Sequence, residues 1–186
     1  MGEAAVVILA GGEARRFPGK LSAPVASQPL LLRVYARVRG HWPVYVAAKG
    51  SFSPEIDAEL DCPVLVDRWP RRGPLAALLS ACGEVRERFV FAVAADLPNA
   101  DRSLLEELAA ARRAGDEAVV PEHGGTIEPL AALYDRAALL REGEAVLRDG
   151  RGAMHELIER LQARFVPMDG ERFRNVNTAA DLEGVR

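Results

Sequence analysis

The sequence predicts an α/β fold with a mostly parallel sheet, and three features carry that prediction. Short apolar runs alternate with amphipathic stretches along the whole chain. The first run, Val6-Val7-Ile8-Leu9-Ala10, stops at the glycine pair Gly11-Gly12. Another run, residues 89–95, is apolar throughout, as a strand buried on both faces must be. Strands alternating with helices build a right-handed α/β sandwich.

Residues 4–10 form the first strand, and a glycine-rich basic loop follows. Pro29 opens a helix with Leu30, Leu31, Val34 and Val38 on one face, ending near Gly40. Residues 44–48 are a short strand. Ser53-Pro54-Glu55 starts a small helix, with Ser53 as its cap and Pro54 at its first position. Residues 64–66 form a third strand that ends at Asp67. A loop, Arg68-Trp69-Pro70-Arg71-Arg72-Gly73, leads into helix 74–82, closed by Gly83. Strand 89–95 ends at Asp96-Leu97-Pro98. Helix 101–114 is acidic near its start and carries Arg112 and Arg113 at its end.

Residues 118–121 and 130–134 are strands around the turn His123-Gly124-Gly125-Thr126, expected as an antiparallel piece at one side of the sheet. Helices near 137–142 and 154–163, a strand at 164–167 and a segment 172–178 feeding a terminal helix complete the chain. No repeat, low-complexity tract or linker divides it, so residues 1–186 read as one domain.

Hydrophobic residues make up 49% of the 186 and charged residues 27%, the composition of a soluble globular protein. A net charge of −3 argues against a basic nucleic-acid face or a membrane-surface role, so any anion site is local. Cys62 and Cys82 have no metal-ligand spacing and are expected reduced and buried. With no basic leader and no apolar run of membrane-spanning length, the expectation is a soluble, cytoplasmic protein.

In an open parallel sheet, ligands bind beyond the carboxyl ends of the strands. Three features fall there: the loop Leu9-Ala10-Gly11-Gly12 onward, Asp67 and Asp96. The loop reads either as backbone N–H groups facing a polyphosphate, beside Arg16 and Lys20, or as an ordinary turn with solvated basic residues. It is neither a Walker A loop nor a G-x-G-x-x-G turn. Asp96 suits a hard cation such as Mg²⁺, or caps its own turn. Asp67 suits a nucleobase or ribose, or caps its loop. Gly73-Pro74 either presents N–H groups to a ligand or simply starts a helix.

Thr178 and Asp181 make a capping-box-like helix start, which leaves Asn175 and Asn177 on one face of an extended segment, free to contact a second substrate or the metal. His123, in its glycine turn, is expected to be exposed, and no His has a partner at ligand spacing. Trp69 either stacks on a ring system or covers its loop.

The ordered set Leu9-Ala10-Gly11-Gly12-x-x-x-Arg16…Gly19-Lys20, Asp67 with Gly73-Pro74-Leu75, Ala95-Asp96-Leu97-Pro98, Pro129-Leu130-x-Ala132-Leu133-Tyr134 and Asn175-x-Asn177-Thr178 resembles the molybdenum cofactor guanylyltransferases. The resemblance runs from about residue 5 to residue 183. It implies a three-layer, Rossmann-like sandwich of the nucleotide-diphospho-sugar transferase type. It also implies attack by the terminal phosphate of molybdopterin cofactor on the α-phosphate of GTP, with Mg²⁺ as cofactor and pyrophosphate as product.

On that resemblance Leu9, Ala10, Gly11, Gly12, Asp67 and Gly73 bind the nucleotide. Arg16 and Lys20 neutralise the triphosphate, Asp96 holds Mg²⁺, and Asn175 and Asn177 face the acceptor. Handling of a cofactor would bring cofactor-carrying proteins to it as partners. Three departures stand out. The Arg16-to-Lys20 spacer is short and lacks an Asp, residues 46–49 lack an Asn, and Glu128 stands where a His is common before Pro129. The first bears on the reach of Lys20, the others on base and pterin selectivity. Two other readings fit the same residues: a cytidylyltransferase on this fold, or a nucleotide-binding module without turnover.

Overall fold

Ala4–Leu9 (β1) is buried at every position, with Val6 and Ile8 facing one side of a sheet and Ala5, Val7 and Leu9 the other. That two-sided burial requires helices on both faces, and the computed structural model has them. The structure describes residues 3–11, 19–25, 28–67 and 73–183.

After β1 come a 3-10 turn at Lys20–Ser22, the short antiparallel pair Pro24–Val25 (β2) and Gln28–Pro29 (β3), and the helix Leu30–Val38 (α1). Val44–Ala48 (β4), Pro54–Glu59 (α2), Val64–Val66 (β5), Gly73–Cys82 (α3), Phe89–Ala94 (β6) and Arg102–Ala111 (α4) follow. The remainder is Ala118–His123 (β7), Thr126–Ile127 (β8), Ala131–Asp135 (β9), Arg136–Arg148 (α5), Met154–Ile158 (α6), Ala163–Pro167 (β10), a 3-10 turn at Gly170–Phe173 and Ala179–Glu183 (α7).

The main sheet runs β10-β7-β9-β6-β1-β4-β5, with β8 paired to β7. The pairs β6–β1, β1–β4, β4–β5 and β10–β7 are parallel. On one face α1, α2 and α4 bring Leu31, Val34, Val38, Ile56, Leu104 and Leu108 against Val6, Ile8, Phe91 and Val93. On the other, α3, α5 and α6 bring Leu75, Leu78, Leu139, Val146 and Leu157 against Val7, Val90, Ala92 and Tyr134. The result is the expected three-layer α/β sandwich with a mostly parallel sheet.

Several local expectations are corrected. The antiparallel strand is inside the sheet, not at one side: β9 pairs with both β6 and β7. The α4 crossover carries β7 one place past β6, and the chain reverses through Gly124 (φ 55) and Gly125 (φ 80), so β9 returns into that slot. A two-residue hairpin turn needs positive φ at both positions, which glycine adopts without strain.

Helix α5 continues to Arg148, well past residue 142, because Gly143 lies buried against Leu79 of α3. Helix α6 stops at Ile158, since Ala163 already belongs to β10. Helix α4 ends at Ala111, where Arg112 turns extended. The Ser53 side chain makes no capping bond; its carbonyl receives Ile56 and Asp57 N–H instead. Cys82 is buried, but Cys62 only half so, and both are free thiols.

Candidate active site

The carboxyl ends of β1, β4, β5 and β6 lie side by side because these strands are parallel neighbours. Their tips are tied by backbone hydrogen bonds: Ala10 N donates to Ala47 O at 2.8 Å, Ala95 N to Leu9 O at 3.1 Å, and Asp67 N to Ala48 O at 2.8 Å. Leu9 and Ala10 are therefore part of a fixed floor that also carries Asp67 and Asp96, and Gly11 follows directly from it. A Cβ placed on Gly11 would lie 3.9 Å from Cγ of Lys49 at the tip of β4, so this cationic side chain passes beside the glycine.

Despite the short spacer, Lys20 reaches the tip of β6. Gly19 (φ 75) precedes the 3-10 turn, and from that turn Lys20 Nζ donates to Asp96 Oδ2 at 2.7 Å. Both side chains are mostly covered, 14% and 26% exposed. The lysine thus holds the carboxylate at the tip of β6 and brings positive charge to the floor. Among the described residues no three His, Cys, Asp or Glu side chains gather as a metal-binding group. Asp96 offers a single carboxylate, which suits the way Mg²⁺ is held by one or two carboxylates together with substrate phosphates and its own waters.

Asp67, at the end of β5, is 7% exposed and Oδ1 accepts a hydrogen bond from Ser80 Oγ at 3.2 Å. Ser80 stands on α3, whose first residue is Gly73, so one helix carries both the partner of Asp67 and the predicted N–H donors. Burial of a carboxylate is costly unless such bonds are made.

The C-terminal segment reaches the same place from the other direction. Val176 is buried and its N–H donates to the carbonyl of Asp96 at 3.0 Å, while Asn175 and Asn177 on either side are exposed. The alternation expected of an extended segment is present. Asp181 Oδ2 accepts from Asn177 N at 2.8 Å and Thr178 N at 2.7 Å, fixing the segment where it enters α7. Those bonds hold the Asp181 carboxyl below the ordinary carboxylate value. The structure therefore joins Lys20, Asp96 and the Asn175–Asn177 segment directly, and sets Asp67 and Gly73 on neighbouring elements. Gly12 and Arg16, and the loop residues Arg68, Trp69, Arg71 and Arg72, lie outside the described residues.

Residues 6–165 match the MobA-like NTP transferase domain. The chain belongs to that family. A relative from Mycobacterium marinum, named "Probable molybdenum cofactor guanylyltransferase", is 35% identical over 185 residues, covering 95% of this chain and 90% of the relative. The solved molybdopterin-guanine dinucleotide biosynthesis protein A from Archaeoglobus fulgidus superposes with a TM-score of 0.82 at 23% identity, covering 97% of this chain and 96% of that one. A 2-C-methyl-D-erythritol 4-phosphate cytidylyltransferase from Thermus thermophilus superposes with a TM-score of 0.73 at 18% identity, covering 96% and 95%. These two structures show the shared fold of the nucleotide-diphospho-sugar transferase type.

As a MobA-like NTP transferase the protein is a nucleotidyltransferase. Two polar residues at this edge had not been singled out from the sequence. Lys49 ends the apolar strand β4 as Asp67 ends β5, a signal of the same kind; Ser80 was hidden as one hydroxyl in a helix of Leu and Ala. His123 is not exposed as expected. Its Nε2 lies 2.9 Å from Glu128 Oε1, and its ring stacks on Phe173 at 5.3 Å between centroids and 10° between planes.

Proposed function

We propose that the protein transfers GMP from GTP to the terminal phosphate of molybdopterin cofactor, with Mg²⁺, and releases pyrophosphate. The observation that carries this reading is the Lys20–Asp96 pair at the tip of β6, in a chain 35% identical to a relative bearing the guanylyltransferase name. An acceptor phosphate oxygen attacks the α-phosphorus, a new P–O bond forms, and the bond to the β-phosphate oxygen breaks. No protein nucleophile is needed: positioning and charge neutralisation supply the catalysis.

The floor at Leu9, Ala10, Gly11 and Gly12 receives the nucleotide, and Asp67, held by Ser80, faces the nucleoside. Gly73, at the start of α3, offers backbone N–H groups on the same side. Lys20 and Arg16 neutralise the triphosphate. Asp96 is the residue that would hold Mg²⁺, which when bound supplies Lewis-acid stabilisation of phosphate charge. Asn175 and Asn177 contact the acceptor. Residues 1–186 act as one catalytic unit, and the two free thiols suit a reducing cytosol. Among the described residues no helix is long and apolar enough to cross a membrane. Proteins that carry the cofactor are its expected partners, and its chemistry requires neither nucleic acid nor membrane.

Incubation with each NTP, Mg²⁺ and molybdenum-charged cofactor, followed by pyrophosphate assay, tests the reading. Release selective for GTP is the expected result. Preference for CTP would reassign the protein to a cytidylyltransferase, and binding without release would leave a nucleotide-binding module.

A further inference from the structure

His123 and Glu128 lie outside the nucleotide floor, and the proposed reaction gives them no task. Their surroundings nevertheless lead back to it. Glu128 stands two residues before Leu130, whose carbonyl accepts Ala94 N at 2.8 Å, so Glu128 is close in sequence to the point where β9 meets the tip of β6. Its carboxylate, 18% exposed, is 2.9 Å from His123 Nε2.

The imidazole is held on its other sides by a single turn of chain. Phe173, 4% exposed, stacks on it, and a Cβ placed on Gly170 would fall 2.8 Å from Nδ1. Gly170–Phe173 is the 3-10 turn that hands the chain to Asn175, Val176 and Asn177. The turn is anchored elsewhere by Met168 N on Glu122 O at 2.9 Å and by Asn99 Nδ2 on Glu171 O at 3.0 Å. Arg172 adds bonds to Glu107 at 2.9 Å and Ser103 at 2.7 Å, and the ring packs against the Gly170 and Phe173 ends of the turn.

We infer that His123, oriented by Glu128, is a positioning residue for the acceptor side. It seats Gly170 and Phe173, and through them sets the Asn175–Asn177 segment against the carbonyl of Asp96. This inference rests on the proposed role of the asparagines for its kinetic part, while its structural part stands alone. Position, not contact with substrate, is the role assigned. Phe173 transmits it, and Glu128 matters because it fixes the plane of the ring. Gly170 matters because only a residue without Cβ lets the turn come this close.

Three substitutions approach the same point from different sides: His123→Ala removes the ring, Gly170→Ala pushes it away, and Glu128→Gln weakens its orientation with little change in shape. Two readouts are taken on each folded variant: hydrogen exchange at the Val176 amide, and KM for acceptor and for GTP separately. The expected result is exchange at Val176 faster by about tenfold or more, acceptor KM raised about tenfold and GTP KM within about twofold of the parent, with Glu128→Gln mildest.

Unchanged Val176 exchange in the folded variants overturns the inference, as does an equal rise in both KM values. Asn177→Ala separates the two levels. If it leaves acceptor KM unchanged while His123→Ala still speeds Val176 exchange, the acceptor reading fails and the seating of the segment stands. If Asn177→Ala raises acceptor KM and the other three do not, the positioning role fails alone.

Discussion

Lys20 Nζ lies 2.7 Å from Asp96 Oδ2, joining the turn after β1 to the tip of β6. The pair is mostly covered, and it places a positive charge and a carboxylate together on the floor. Lys20→Ala and Asp96→Ala should each lower turnover by about 10²- to 10³-fold, measured on folded protein, with a lower urea midpoint because each leaves a covered partner charge unpaired. The double variant should lose much less than the product of the two, since the residues act as a unit. A folded Asp96→Ala protein with full pyrophosphate release would refute the assignment.

Asp67 should separate binding from chemistry. Asp67→Ala is expected to weaken nucleotide binding more than it lowers kcat, read by calorimetric titration of GTP beside steady-state rates. Ser80→Ala removes a hydrogen bond to a buried carboxylate. It should cost about 1–3 kcal/mol of stability and shift nucleotide affinity in the same direction as Asp67→Ala. An Asp67→Ala protein that binds GTP like the parent would sink this role.

Acid should loosen the β10 side. Arg164 grips Asp116 through Nε at 2.6 Å and its terminal amino group at 3.0 Å, and that bonding holds the Asp116 carboxyl below the ordinary value. Glu117 is lowered too, first by the N–H of Gln162 and then by Arg141. Because the folded state favours the charged form, the stabilisation is complete above the unfolded value of about 4 and drains away as pH falls through the lower folded value. Urea midpoints measured downward from pH 6 should fall below about pH 4, and Asp116→Asn should flatten part of that slope.

Gly143 tests the contact between α3 and α5. A Cβ there would lie 2.7 Å from Leu79 Cδ2 on the helix that carries Ser80 and Gly73. Gly143→Val should overpack this contact and cost about 1–3 kcal/mol, read as a lower melting temperature. Stability equal to the parent would show that α5 can move away freely.

Both thiols should be slow to react. Burial pushes Cys82 up to about 12, and burial followed by the charge of Asp61 pushes Cys62 up to about 11. A thiol reagent at pH 8 should leave Cys82 unlabelled in the native protein, label the half-buried Cys62 slowly, and label both quickly in urea. Rapid labelling of Cys62 without denaturant would contradict its raised value.

What could be read from the sequence was what neighbouring residues decide. An unbroken apolar run such as Phe89–Ala94 can only be a covered strand, and a lone carboxylate ending it, Asp96, stands out against that background. The alternation Asn175-Val176-Asn177 was visible for the same reason. What long-range packing decides was hidden. The 2.7 Å reach of Lys20 depends on how a loop closes, and β9 lies inside the sheet because its pairing with Phe91 and Val119 is non-local. His123 looked idle because one partner is five residues on and the other, Phe173, lies in a different part of the chain. Helix α5, expected only near 137–142, runs on through Gly143, which is its contact with Leu79.

The order of strands has a price during synthesis. Strand β1 takes Ala4 to Phe89 and Leu9 to Ala94 along its β6 edge, so the first strand made waits for a partner encoded much later. At ribosomal speeds of roughly 5–20 residues per second, that edge stays open for on the order of ten seconds. The waiting strand, Ala4-Ala5-Val6-Val7-Ile8-Leu9, carries no charge and no proline, the kind of segment that pairs with another nascent chain. Slower translation lengthens this exposure, while cooling weakens the apolar attraction between chains that would exploit it.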